Sequence, residues 1–356
     1  MPTDATRVAV VFGGRSTEHS ISCLSAGTVK DSLEEAGYEV IPVGVSREGA
    51  WVLAAEGQSY ALHGDELPEV IGGEPVTFSG DATAPGLVTQ SGRRVEVDVV
   101  FPVLHGPFGE DGTVQGLFEM AGIPYVGSGV YASAASMDKA HMKMAFAAAG
   151  IPVSAYEVVR PGSNPVDGVM DRLGSPVFVK PARGGSSIGI TRVTSEAALA
   201  AAIETARESD PKVLIERAIV GREVECGVLA GVNGGPAQAS VPAEIVVDAK
   251  FEFYDFQAKY LSDSTTVTVP ADLPPAVTQK VQQLALAAYE ALDCAGLARV
   301  DVFACPDGSV VMNELNTMPG FTATSGYPVM WAATGVALPQ LVDRLVQDAL
   351  RRAVIE

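Results

Sequence analysis

Near the C-terminus Arg299 and Asp301 lie on one apolar run, and Glu314 and Asn316 lie on the next. Between the runs stands Pro306-Asp307-Gly308-Ser309. Asp-Gly flanked by β-branched and aromatic residues marks a hairpin. With the turn centred on Asp307-Gly308, paired residue numbers sum to a constant. Asp301 then faces Glu314, and Arg299 faces Asn316. Side chains alternate along a strand, so all four are expected on one face. Two carboxylates directly across a ladder repel each other. A hard divalent cation held by oxygen ligands removes that repulsion, so Asp301, Glu314 and Asn316 read as a magnesium site. The alternative is a half-solvated sheet face with a chance Arg–carboxylate pair. An Asn beside two acids and an Arg makes that the weaker reading.

A second chemical feature is the run Val177-Phe178-Val179-Lys180-Pro181-Ala182-Arg183-Gly184-Gly185-Ser186-Ser187-Ile188-Gly189. It lacks G-K-[ST] and leads into a strand rather than a helix, so it is no P-loop. Glycines and serines with free backbone N–H groups still make an anion-binding concavity, and Lys180 supplies a point charge for phosphate. Alone, the loop reads as a flexible hairpin; beside a cation site it reads as a lid over nucleotide phosphates. Lys139 sits in a helical pattern and alone would be a solvated lysine. Glu216 interrupts an apolar strand and Glu223 follows it, so an adenine amino group and ribose hydroxyls are possible donors to them; paired surface acids are the alternative. Residues 251–260 are too aromatic for a solvent loop and too polar for a core strand, the mark of an active-site cover. Thr317–Ser325 offers hydroxyls and N–H groups beside the cation, where a carboxylate can dock.

These residues need rigid elements behind them. Arg7–Phe12 is an apolar strand, a helical pattern from Ile21 closes at Gly37, and Glu39–Val45 is the next strand, which is a βαβ opening of the doubly wound kind. The Gly/Pro-rich segment from Trp51 to Gly92 reads as an irregular hairpin insertion. A strand at Val95–Leu104, a helix at Thr113–Ala121 and a strand at Ile123–Val126 complete a first α/β domain. One long helix is expected from Tyr131 to Ala149. Short strands at Tyr156–Arg160, Val177–Lys180, Ile188–Val193 and Val213–Ala218 then form a small α+β unit. Strand texture to Val247, a helix at Pro275–Leu292, the hairpin and a final helix from Val336 complete the chain. The expected units are 1–135, 136–220 and 221–356.

The chain has 356 residues and a net charge of −19, with no basic run. That balance argues against nucleic acid or an anionic membrane as partner. Cys23, Cys226, Cys294 and Cys305 are scattered, without zinc or C-x-x-C spacing, and read as small buried apolar residues in a reducing compartment. No signal segment or spanning apolar run occurs, so a cytoplasmic location is expected.

Taken in order, these motifs resemble the ATP-grasp ligases, and within them the D-alanine–D-alanine ligases. The resemblance runs end to end: Gly13-Gly14-x-Ser16-x-Glu18, His105-Gly106 with Gly109-Glu110-Asp111-Gly112, Met137-Asp138-Lys139, and Lys180-Pro181 with Gly185-Ser186-Ser187-x-Gly189. It continues through Glu216, Glu223, Lys259-Tyr260, Arg299-x-Asp301 and Glu314-x-Asn316 with Pro319-Gly320. It implies a three-domain ATP-grasp fold, α/β plus α+β, opening on a doubly wound parallel-sheet domain. It implies ATP contacts from Lys139, Lys180, Lys259, Ser186 and Ser187, with Glu216 at adenine and Glu223 at ribose. Two Mg²⁺ ions, with Mn²⁺ as a possible substitute, would lie on Asp301, Glu314 and Asn316. Glu18 would hold the ammonium of the first D-alanine, with His105 nearby. Arg299 and backbone N–H near Gly320 would stabilise an oxyanion, and Ser325 would dock the second substrate. Glu18, Ser186 and Tyr260 would tie the loops shut.

The implied reaction joins two D-alanines through a D-alanyl phosphate, supplying the dipeptide of peptidoglycan, and the resemblance implies a homodimer. Relatives making D-alanyl-D-lactate lack the Tyr found here at 260, which favours D-alanine as second substrate; D-alanine–D-lactate ligation is the rival reading. Many relatives carry an acid where Gly184 stands, which implies a looser lid, and Arg217-Ala218 replaces a bulkier pair. A nicotinamide oxidoreductase is excluded: Gly13-Gly14-Arg15-Ser16 has no third glycine in register, and the second strand ends without an acid. A non-catalytic nucleotide sensor is disfavoured by the intact Asp301, Glu314 and Asn316 set.

Overall fold

The computed structural model describes residues 5–64, 66–163, 168–185, 188–247 and 265–354. The first sheet contains β1 (Arg7–Gly13), β2 (Glu39–Val45), β3 (Trp51–Ala54), β4 (Gly73–Phe78), β5 (Leu87–Thr89), β6 (Arg94–Val95) and β7 (Val99–Pro102). Its order is β6-β5-β4-β3-β2-β1-β7. β1 runs parallel to β2 and β7, and α1 (His19–Glu35) makes the crossover that parallel neighbours require. This is the expected βαβ opening.

From β2 outward the pairing turns antiparallel. The segment read as an insertion therefore extends the same sheet. Its strands are short and weakly alternating; in β4 only Val76 is buried, so little periodicity reached the sequence. After α2 (Thr113–Met120), the strand expected at Ile123–Val126 reduces to one bridge between Val100 and Tyr125.

The long helix expected from Tyr131 is two helices, α3 (Val130–Met137) and α4 (Lys139–Ala148). Asp138 breaks them with extended backbone, φ −99 and ψ 100, and its carboxylate accepts from the N–H groups of Ala140 and His141 at 3.1 and 3.2 Å. Aspartate at an N-cap satisfies donors that a new helix leaves open. Lys139 thereby becomes the first residue of α4.

The second sheet is antiparallel, ordered β10-β9-β11-β8. Its strands are β8 (Tyr156–Val159), β9 (Val177–Pro181), β10 (Thr191–Val193) and β11 (Val213–Arg217). With α5 (Val169–Leu173) and α6 (Glu196–Arg207) it encloses its own apolar core around Val177, Val179, Ile203 and Ile215.

The third sheet holds β12 (Arg222–Leu229), β13 (Gln238–Ala239), β14 (Ala243–Val247), β15 (Thr265–Thr268), β16 (Leu297–Ala304) and β17 (Val310–Asn316). Its main path is β15-β14-β12-β16-β17. α7 (Pro275–Ala291) covers one face, burying Val281, Ala285 and Ala288 against Val224, Cys226 and Val300. The other face is left for the polar row described below. An additional helix, α8 (Gly326–Ala333), precedes α9 (Leu338–Ala353).

α9 returns to the first sheet. Its Leu341, Val342, Leu345 and Val346 are fully buried in one core with Val8, Val10, Phe12 and Leu33. The chain's two ends are thus locked together by apolar burial. Leu345→Ala is expected to cost about 2–5 kcal/mol, seen as a lower Tm; an unchanged Tm would contradict the shared core.

Candidate active site

The hairpin pairs as expected: Asp301 with Glu314, and Arg299 with Asn316. The route to that register differs. Nearer the turn Val302, Phe303 and Ala304 face Met312, Val311 and Val310, and the register shifts between Asp301 and Val302. A β-bulge at Asn313 inserts one residue into β17, and this restores the expected pairs. β12 adds Glu225 opposite Asp301. Glu225, Asp301 and Glu314 therefore form a row of carboxylates across three adjacent strands.

Arg299 answers two of them. Its Nε and Nη2 donate to Asp301 Oδ1 and Oδ2 at 2.8 and 2.7 Å, and Nε lies 3.2 Å from Glu225 Oε1. Burial alone would weaken the guanidinium charge, but Asp301 and then Glu225 reverse this and raise its pKa further. Asn316 Nδ2 donates to Asp301 Oδ2 at 3.1 Å. Among the described residues no three His, Cys, Asp or Glu side chains converge on a common point. The set that suits a hard cation is two carboxylates and an amide, Asp301, Glu314 and Asn316, all oxygen donors.

Lys139 reaches across to this hairpin. Its Nζ donates to Gly184 O at 2.8 Å and lies 3.5 Å from Glu314 Oε2. Gly184 thus joins Lys139 through its carbonyl, an interaction that needs no side chain. The base of the loop is held by further ties. Lys139 N–H donates to Ala182 O at 2.8 Å, Lys212 pairs with Asp138, and Arg183 grips Asp210 through two bonds of 2.9 and 2.8 Å.

Glu216 is no surface acid. It is 5 % exposed, pairs with Lys180, and accepts from Lys143 Nζ at 2.5 Å. Burial opposes its charge, yet Lys180 and then Lys143 outweigh that and hold its carboxyl below the usual range. Burial acts on Lys143 towards the neutral amine and lowers its pKa, with the Glu216 carboxylate at 2.5 Å opposing in part.

One cleft gathers Glu18, His105, Glu110, Lys139, Arg299, Glu314, Asn316 and Gly320. Glu18 Oε2 lies beside two glycines, where a Cβ on Gly106 or Gly185 would fall 3.4 or 3.7 Å from it. His105 is buried, with Nδ1 3.1 Å from Met318 O and Nε2 3.4 Å from Ser25 Oγ. Burial drives its pKa down, Glu18 opposing only in part, so the ring is neutral. Ser325 stands behind Gly320: it occupies the N-cap position of α8 without a side-chain bond to the helix, and its Oγ accepts from Thr322 N–H at 3.1 Å. Lys180, Glu216, Glu223, Asp301 and Ser325 do not line the cleft itself; Glu223 lies two residues before Glu225 on the same face of β12.

Glu110 accepts from Gly106 N–H at 2.8 Å. Its side chain is partly open to the cleft while its carboxyl lies deep, and burial, with Glu18 nearby, pushes its pKa up to about 8. The folded chain therefore binds an extra proton between the ordinary carboxylate range and about pH 8, and its stability falls as pH rises through that window. In Glu110→Gln this slope is expected to vanish, so the variant's Tm exceeds wild type at about pH 8.5 and the gap closes near about pH 5. Parallel Tm–pH curves would contradict the buried-acid assignment.

Ser186, Ser187, Lys259 and Tyr260, and the aromatic segment 251–260, lie outside the described residues. Sequence reasoning gave no role to Lys143, Lys212, Glu225 or Glu110. A signal for Lys143 existed: it falls three residues after Ala140 and three before Phe146, on the stripe that α4 buries.

The D-ala D-ala ligase N-terminus family model matches residues 7–128, and the D-ala D-ala ligase C-terminus model matches residues 145–347. The chain belongs to the D-alanine–D-alanine ligase family. A D-alanine–D-alanine ligase of Frankia casuarinae is 56% identical over 97% of this chain and 96% of its own. One of Nocardia farcinica is 52% identical over 98% of each. Among solved structures, the VanG D-Ala:D-Ser ligase of Enterococcus faecalis superposes with a TM-score of 0.84 at 36% identity, covering 97% of this chain and 99% of that one. The D-alanine–D-alanine ligase of Coxiella burnetii gives 0.83 at 35%, covering 98% and 96%. The fold is accordingly ATP-grasp, and the family is one of ATP-dependent ligases that use a divalent metal.

Proposed function

We propose that the chain joins two D-alanine molecules into D-alanyl-D-alanine for peptidoglycan, at the expense of ATP. The observation that carries this is the meeting of Lys139 and Glu314, 3.5 Å apart, in a cleft whose other residues include Glu18, His105, Arg299 and Gly320. One end offers phosphate and cation groups, and the other offers a carboxylate for an ammonium and donors for a carboxyl group.

The γ-phosphoryl group passes to the carboxylate of the first D-alanine, giving D-alanyl phosphate and ADP. The amine of the second D-alanine attacks the acyl carbon, and phosphate leaves from the tetrahedral intermediate. Positioning and charge neutralisation supply most of the acceleration. Glu18 holds the first ammonium, with neutral His105 beside it. Arg299, with N–H near Gly320, faces the oxyanion, and Ser325 docks the second carboxylate. Lys139 and Lys180 bind phosphates, and Glu216 and Glu223 serve adenine and ribose. By resemblance, Lys259, Ser186 and Ser187 add phosphate contacts and Tyr260 helps to close the loops. Asp301, Glu314 and Asn316 are the residues to hold two Mg²⁺ ions, or Mn²⁺ of the same oxygen preference. Ions held there would supply charge neutralisation at the phosphates.

The three sheets support units 1–135, 136–220 and 221–356; the middle sheet has an apolar core of its own, while Leu229, Leu297, Tyr327 and Trp331 join a core of the first unit and Met142, Phe146 and Ile151 join that of the third sheet. Four free cysteines favour the cytoplasm. Among the described residues no helix is long and apolar enough to cross a membrane. The net charge of −19 speaks against nucleic acid. Homodimer formation is carried over from the family resemblance.

Phosphate release from ATP and Mg²⁺ tests this reading. D-alanine should stimulate it and L-alanine should not; equal stimulation by both would overturn the substrate assignment.

A further inference from the structure

Three ionisable side chains meet where β9 and β11 approach α4. Lys143 is 0 % exposed and Lys180 7 %. Glu216 Oε1 accepts from Lys143 Nζ at 2.5 Å and Oε2 pairs with Lys180. Lys143 Nζ also approaches the carbonyl of Asn313, the bulge residue of the β16–β17 hairpin, at 3.5 Å. Two lysine side chains thus face one carboxylate in a buried setting.

A buried lysine facing one carboxylate would form a neutral pair, and such a pair is costly to open. Lys180 in that state would have to leave Glu216 before meeting an anion. The second lysine changes this balance. We propose that Lys143 is a positioning residue for nucleotide phosphates: it takes up the charge of Glu216 and so leaves the charge of Lys180 free to act on the phosphates. The proposal rests on the reading that the cleft binds ATP. Lys143 itself touches no substrate; it acts through Glu216 and Lys180. Its contact with the Asn313 carbonyl also ties α4 to the strand that carries Glu314, so the phosphate lysine and the cation hairpin share one anchor.

The test compares binding of ADP and of adenosine by calorimetry, in wild type, Lys143→Met and Lys143→Met/Glu216→Gln. Only ADP carries phosphate, so the ratio of the two affinities isolates the charge effect from general damage. Loss of one charge-assisted contact is expected to weaken ADP in Lys143→Met by about tenfold or more, with adenosine changed by less than about twofold. Gln keeps an acceptor oxygen but carries no charge, so the double variant should regain most of the wild-type ratio.

The double variant leaves no buried acid short of a partner and is therefore the safer fold. Should Lys143→Met not fold, the double variant alone decides, because the proposal requires its ratio to match wild type. Equal weakening of ADP and adenosine in Lys143→Met, or a double variant with the ratio still depressed, would overturn the proposal. Wild-type protein that bound neither ligand would overturn the ATP reading and this proposal with it.

Discussion

Glu314→Gln is expected to lower kcat by about a thousandfold while leaving the fold at least as stable as wild type. The two effects have one origin. Glu314 ends the row of carboxylates Glu225, Asp301 and Glu314; Arg299 pairs directly with the first two and acts on the third at longer range. Removing a charge from that row relieves repulsion in the ligand-free chain. The same charge is needed beside the phosphates, where Lys139 Nζ stands 3.5 Å away. Phosphate release at saturating ATP and D-alanine gives kcat, and thermal melting gives stability. Calorimetry adds an independent readout: Mg²⁺ should tighten ADP binding in wild type and not in the variant. Near-normal kcat, or an unchanged Mg²⁺ effect on ADP, would contradict the assignment of Glu314 to the cation site.

Arg299→Lys should reduce kcat by about a hundredfold to a thousandfold, with the KM for ATP little changed. The guanidinium spans both Asp301 oxygens at 2.8 and 2.7 Å while touching Glu225 at 3.2 Å. A lysine ammonium keeps the charge but cannot hold that fork, so it cannot stand fixed towards a developing oxyanion. Because Asp301 and Glu225 then lose part of their pairing, a lower Tm is expected as well. Steady-state kinetics separates the alternatives. A rise in KM for ATP at constant kcat would place Arg299 in nucleotide binding instead.

The hairpin shows how far the residues alone reach. Asp301 opposite Glu314 followed from alternation and a turn signal, because both are local and periodic. The bulge at Asn313 did not, since an extra residue in a strand leaves no mark in composition. The assumed constant sum fails near the turn, and the bulge then restores the pairs that were expected. The helix break at Asp138 was legible in principle, as an N-cap residue in mid-pattern, but the apolar period on both sides masked it.

Burial was the hardest property to read. Glu216 looks like a surface acid until Lys143 and Lys180, distant in sequence, are brought to it by α4 and β9. Glu225 likewise gained meaning only when β12 was laid beside β16. The return of α9 to the first sheet is a long-range contact of the same type: its apolar stripe announces a buried face but not the partner.

The acceptor is decided by mass analysis of the product formed from ATP, Mg²⁺ and D-alanine, alone and with D-serine or D-lactate in competition. Phosphate release should be matched by D-alanyl-D-alanine, which stays the dominant product in competition. Release matched instead by D-alanyl-D-serine or D-alanyl-D-lactate would keep the fold and the phosphoryl chemistry but contradict the acceptor. No dipeptide or ester under any of these conditions would contradict the ligase reading itself.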